Sequence, residues 1–279
     1  MKKISFVNMK GGVGKTTLAV NVADCLNQRH NKRVLIVDLD PQFNATQCLF
    51  SGEDYIKLRS QGGHTIVNIF DETPAPSLSA VSGPKIIEAL ELEDVKPWSI
   101  RDGFDIIPGD LELYRVEMPA GQGKELRLKR YLKLISKLDL YDVVIVDTPP
   151  TPSHYMMSAL LASDYYLVPV KPDPLSRVGI DLLRAVIDRT SKNYGEDIEC
   201  IGVVLTITDK RTKVLVAAKQ ILGEADLWKD KLYKATLPSR TRIAAAQGNQ
   251  DLILEVGDND SKSAISRITE ELLSRIDDE

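Results

Sequence analysis

Two lysines, a run of glycines and a hydroxyl stand together in Met9-Lys10-Gly11-Gly12-Val13-Gly14-Lys15-Thr16-Thr17. These residue types in this order suit a phosphate. The N–H groups of a glycine-rich loop and of the helix that follows it converge on an anion. From the end of such a loop Lys15 reaches the β- and γ-phosphates of a nucleotide, and the Thr16 hydroxyl is placed to ligate Mg²⁺. The usual spacing, G-x-x-x-x-G-K-[ST], asks for a first glycine at position 9, where this chain has Met9. In its place the loop carries a second cation, Lys10, just before Gly11-Gly12. A loop that neutralises a triphosphate can use both.

Three aspartates extend this chemistry. Asp38-Leu39-Asp40-Pro41 ends one apolar run and Asp147-Thr148-Pro149-Pro150 ends another. Ligands bind at the carboxyl ends of strands in open α/β sheets. Asp38 is expected to hold magnesium through water, Asp40 to position an attacking water, and Asp147 to stand near the metal as the acidic residue of a Walker B strand. Asp38 or Asp40 could instead serve as a helix N-cap or turn former. An acid about twenty residues after a glycine-rich loop also occurs in dinucleotide folds, but G-x-G-x-x-G after Gly12 and Gly14 needs glycine at 17, and the residue is Thr17.

Such residues require a strand–loop–helix frame. Ile4-Ser5-Phe6-Val7 supplies the strand before the loop, and Leu18, Val20, Val22, Ala23 and Leu26 supply the helix after it. Lys32–Asp38 and Tyr141–Asp147 read as parallel strands buried on both faces. Further strands are expected at Phe104–Gly109, Tyr165–Val170, Ile198–Ile207 and Leu232–Leu237. Helices are expected at Ile66–Phe70, Lys85–Leu92, Leu126–Leu138, Leu175–Arg189, Arg211–Leu222 and Ser263–Ile276. Residues 51–102 otherwise read as connecting helices and surface loops. With no repeat, low-complexity tract or linker, the expectation is one α/β domain over residues 1–279: a doubly wound, mostly parallel sheet flanked by helices.

Composition narrows the class. Hydrophobic residues make up 43% of the chain, enough for a sizeable core, and mean hydropathy is −0.15. No stretch of about 18 apolar residues is present to span a bilayer, and the N-terminal apolar run is too short for a signal peptide. Cys25, Cys48 and Cys200 show no metal spacing and read as reduced thiols, which points to the cytoplasm. The acidic end, Asp277-Asp278-Glu279, argues against a membrane-surface helix. Net charge is −4, yet Asp209 to Arg242 holds nine basic and four acidic residues. Such a window is a candidate footprint for a phosphate backbone.

The loop and the two aspartate motifs together resemble the ParA/Soj/MinD family of deviant Walker A ATPases, most closely the small Soj-like ParA proteins. The resemblance rests on Lys10–Thr17, on Asp38-x-Asp40-Pro41-Gln42-x-Asn44-Ala45-Thr46, on Asp147-x-Pro149-Pro150, on Val204–Thr212 and on Leu237-Pro238-x-x-x-Arg242. It implies a P-loop fold and a Mg²⁺- and ATP-dependent homodimer that hydrolyses ATP slowly. It also implies nonspecific DNA binding over the nucleoid, and a ParB-like partner that stimulates hydrolysis during partition of a plasmid or chromosome. By the same resemblance Lys10 is the signature lysine that crosses to the partner's phosphates, Lys15 the cis phosphate lysine and Asp40 the aspartate needed for hydrolysis. Gly11, Gly12, Val13, Gly14, Thr16 and Thr17 complete the nucleotide loop, Asp173 belongs to a loop approaching the nucleotide, and Pro238 lies beside the adenine. Arg211 and Arg242 match DNA-binding arginines. Departures are Phe43, where the family often has glycine, Ser239-Arg240, Ala245 and Gln247. The loop lies so near the N-terminus that the helix-turn-helix domain of large ParA proteins is not expected. A positioning ATPase acting on a protein or organelle cargo is the nearest alternative. A metabolic enzyme of the wider phosphate-loop class is a further one, though its iron-protein branch needs cluster cysteines that this chain lacks.

Overall fold

The computed structural model describes residues 1–71, 75–79, 83–87, 90–116, 123–173, 176–209, 212–225, 228–239, 243, 248–256 and 259–277. Its centre is a seven-stranded sheet. In chain order the strands are β1 (Lys2–Phe6), β2 (Val34–Asp38), β5 (Trp98–Arg101), β6 (Phe104–Ile107), β7 (Val143–Asp147), β8 (Tyr165–Val170) and β9 (Glu199–Leu205), while β3 (Ala75–Ser79) and β4 (Gly83–Ile87) form a separate antiparallel hairpin. The spatial order is β5-β6-β2-β7-β1-β8-β9, and only β5 runs antiparallel to its neighbour. Every residue of β2, β7 and β8 is buried, as continuous Val/Ile/Leu runs require when both faces of a parallel sheet are covered.

Alternate strand residues feed two layers. Val34 and Ile36 face a cluster with α1 (Lys15–His30) and the last helix, which we number α9 (Asn259–Asp277). Leu35, Val37, Val144 and Val146 face the other side, packing with α4 (Ile66–Phe70), α5 (Arg127–Lys137) and α6 (His154–Ala162). Beyond β1, Val168, Val170, Val203 and Leu205 are covered by α7 (Ser176–Tyr194) and α8 (Lys213–Glu224). The short helices α2 (Asn44–Gln47) and α3 (Gly52–Ser60) lie between β2 and α4. In α9 the expected stripe Ile265, Ile268, Leu272 and Ile276 is wholly buried. Burying each such side chain contributes about 1.5–3 kcal/mol.

Three local expectations change. Gly83–Ile87 is a strand where Lys85–Leu92 reads as helical, because Gly83-Pro84 starts it extended and β3 offers a pairing partner. Leu232–Leu237 is no regular strand; it follows β9 irregularly through the bridges Val203–Leu232 and Thr208–Pro238. Trp98–Arg101 forms a strand inside the stretch expected to be surface helices and loops, and a register shift near Ser99 marks its pairing with β6.

Candidate functional site

The parallel register places the site on one ledge. Phe6 pairs with Asp147, and Asp147 pairs with Asp38 on its other side, so three adjacent strands end on the same rung. The chain leaves β1 through a loop whose turns need positive φ. Gly12 sits at φ 68° and Gly14 at φ 76°, where a side chain would be strained. Gly14 is the N-cap of α1 and no side chain caps that helix, leaving its first-turn N–H groups to an anion. Gly11 to Thr17 all line one cleft of ≈ 1060 Å³, together with Asp40, Gln42, Phe43, Thr46, Pro150 and Gln250.

Groups that the sequence reading did not single out hold this loop. Buried Asn8 donates to the Pro169 carbonyl at 2.7 Å and accepts the Lys10 N–H at 2.8 Å. Thr148 donates to the Phe6 carbonyl at 2.7 Å, and Thr206 donates to the Val13 carbonyl. Ile207 packs on Gly14 with its own backbone at φ 50°, an uncommon conformation for a β-branched residue and one that costs about 1–3 kcal/mol. The Val204–Thr206 stretch was the only hint of this contact.

Lys15 is buried at the start of α1, and Thr16 donates its hydroxyl to Asp147 Oδ2 at 2.7 Å. Asp38 accepts from the Thr46 N–H at 2.8 Å and the Thr46 hydroxyl at 2.7 Å, and Thr46 Oγ1 accepts the Gly109 N–H at 2.8 Å. Asp40 accepts the Gln42 N–H at 3.0 Å, which fixes a tight turn on the cleft wall. Lys10, more than half exposed, makes an ion pair with Asp173. Pro238 is buried and bridged to Thr208. Arg211 and Arg242 lie outside the described residues.

The electrostatics suit a cation. Burial above all pushes Asp38 up to about 8, with the charge of Asp147 adding to the rise. Burial likewise lifts Asp147 to about 6, opposed chiefly by the charge of Lys15. Asp147 Oδ1 is buried and has no hydrogen-bond partner in the structure. Two destabilised carboxylates beside a hydroxyl form a hard oxygen donor set of the kind Mg²⁺ takes alongside phosphate oxygens. Thr16, Asp147 and, one strand over, Asp38 are the residues that would hold it. Among the described residues no group of three or more His, Cys, Asp or Glu is arranged to cage a metal alone, so a metal here would lean on its ligand.

Comparison with known proteins agrees with this geometry. A family model described as an AAA domain matches residues 1–200. The sporulation initiation inhibitor protein Soj of Bacillus subtilis is 30% identical over 248 residues, covering 88% of this chain and 87% of that one. The chromosome partitioning protein ParA of Caulobacter vibrioides is 29% identical over 249 residues, covering 88% and 84%. Among solved structures, a plasmid partition protein of Borrelia burgdorferi bound to AMPPNP superposes with a TM-score of 0.75 at 21% identity, covering 99% of this chain and 98% of that one. That last likeness speaks to the fold.

Proposed function

This chain belongs to the ParA/Soj family of partition ATPases, and from that premise we propose that it is an ATP-switched homodimer. In this reading residues 1–279 act as one unit that binds DNA without sequence preference and partitions a plasmid or chromosome with a ParB-like partner. The observation that carries it is Lys10, a cation more than half exposed beside a phosphate loop that already contains the buried Lys15. One buried lysine suffices for the phosphates in cis. A second, at the rim and paired with Asp173, can reach a nucleotide held by another copy once that ion pair opens.

Each residue then has a task. Gly11 to Thr17 cradle the phosphates, and Lys15 offsets the charge on the β- and γ-oxygens. Asp40, fixed by the Gln42 N–H, orients the attacking water and takes its proton. Thr16, Asp38 and Asp147 would hold Mg²⁺, which when bound with the nucleotide would neutralise phosphate charge. Asp173 releases Lys10 as the second copy arrives. Arg211 and Arg242 then contact DNA phosphates, and hydrolysis stimulated by the partner returns the chain to a monomer in the cytoplasm.

The test is binding to random-sequence duplex DNA with ATP, with ADP and without nucleotide, over a range of salt. Binding only with ATP, falling steeply as salt rises, is expected. The double variant Arg211→Glu/Arg242→Glu should lose DNA while keeping the dimer. DNA binding that ignores nucleotide, or survives the double variant, overturns the DNA surface. An ATP dimer that ignores DNA altogether favours a protein cargo instead.

A further inference from the structure

Phe43 is held in a way that only a neighbour's chemistry explains. It closes the turn that starts at Asp40, donating its N–H to the Asp40 carbonyl at 2.8 Å. Its backbone sits at φ 43°, ψ 40°, the left-handed region that favours glycine. The ring stacks on Tyr55 with centroids 5.4 Å apart and planes 22° from parallel. Tyr55 in turn leans on Trp98 at 5.6 Å and donates its hydroxyl to the Gly109 carbonyl at 3.1 Å. Gly109 is pressed against the same turn: a Cβ there would lie 2.6 Å from Phe43 Cβ and 3.0 Å from Asp38 Cγ. Asp40, Phe43 and Tyr55 all line the phosphate cleft.

We infer that Phe43 is a positioning residue for hydrolysis. Its ring, stacked on Tyr55, and its Cα and Cβ, pressed against Gly109, immobilise the Asp40 turn so that the carboxylate meets the attacking water in one orientation. The backbone strain is what such a device requires. A glycine would take the same φ without cost but would leave the turn unbraced, whereas the stacked ring locks it. Phe43 touches no reacting atom; it acts through Asp40. The inference rests on the hydrolytic reading of this site.

The experiment measures kcat, ATP affinity by direct titration and thermal stability for wild type, Phe43→Gly, Phe43→Tyr, Tyr55→Ala and the Phe43→Gly/Tyr55→Ala pair, with Asp40→Ala as a reference. Glycine accepts the left-handed backbone, so Phe43→Gly retains the fold. Its kcat should fall about tenfold while ATP affinity stays within about twofold, the signature of a misplaced catalytic group. Phe43→Tyr, which keeps the ring, should restore kcat. Tyr55→Ala should show the same split, and the double variant should be no slower than the slower single, since the two rings act as one unit. A wild-type kcat in Phe43→Gly, a proportional loss of affinity and kcat, or additive effects in the double variant would overturn the brace. If wild type turns over ATP and Asp40→Ala does not, a normal Phe43→Gly defeats the brace alone. If wild type shows no Mg²⁺-dependent turnover, the hydrolytic reading falls and takes the brace with it.

Discussion

Lys10 and Asp173, 163 residues apart in the chain, form an ion pair at the start of the phosphate loop, next to the cleft-lining Gly11. The pair keeps the outer lysine on its own copy. Removing the lysine and removing the restraint should therefore act in opposite directions. Lys10→Ala should remain monomeric with ATP in light scattering. Asp173→Asn should reach half-maximal dimerisation at about two- to fivefold less ATP, the range of a partly exposed ion pair. A Lys10→Ala variant that dimerises normally would reduce the site to a generic ATPase.

Asp40 is almost fully buried and tied to the Gln42 N–H. Asp40→Ala should lower kcat by about 10²-fold or more, the scale of a lost general base, with nucleotide affinity close to wild type. Single-turnover hydrolysis with nucleotide in excess over its dissociation constant is the measurement. An unchanged rate would remove Asp40 from the chemistry.

The acid pair makes stability depend on pH. Asp38 titrates at about 8 in the folded chain because it is buried and faces Asp147, against a reference of 3.8. Asp147 is raised to about 6. Between the reference and the folded values the native state holds protons that the unfolded chain has released, so each group stabilises fully below the reference value and loses that contribution as pH rises through its folded value. Asp38→Asn has no such proton to lose. Relative to wild type, its unfolding midpoint without nucleotide should rise from about pH 4 to about pH 8 and then level off. A difference that is flat across this window contradicts the assignment.

Gly109 has no room for a methyl group. A Cβ would stand 2.6 Å from Phe43 Cβ and 2.9 Å from Phe43 Cα, both within a turn that cannot yield without moving Asp40. Gly109→Ala should cost about 1–3 kcal/mol in denaturant unfolding, the range of an overpacked contact. It should slow hydrolysis as well. An unaltered midpoint would mean that the Asp40–Phe43 turn is softer than its contacts imply.

Much of this could be read from residues before any coordinates. Lys32–Asp38 and Tyr141–Asp147 announced themselves because a strand buried on both faces is apolar throughout, and an aspartate ending each run stands out against it. The phosphate loop was legible for the same reason: Gly12 and Gly14 mark left-handed turns that other residues resist. Contacts over long separations were not legible. Nothing local ties Asp173 to Lys10, Asn8 to Pro169, or Tyr55 to Phe43. Trp98–Arg101 is only four residues long, follows Pro97 and pairs antiparallel, so it carries neither the length nor the uniform apolarity of a buried parallel strand. At Lys85–Leu92 the helix-forming side chains misled because Gly83-Pro84 and a pairing strand outweighed them.

The rims of the sheet carry a consequence for how copies of the chain can meet. One rim is the short, shifted strand Trp98–Arg101. The other, β9, is already matched by the irregular segment beside it: Lys231 accepts from the Val203 N–H at 2.8 Å, while Tyr233 and Leu237 donate to Val203 and Leu205 at 2.9 Å each. Neither rim presents the long, straight row of open amides on which foreign chains template β-aggregates. Copies of this chain at high concentration therefore have little means of zipping together through the backbones of these two rims, and contacts between them must be made by side chains and loops.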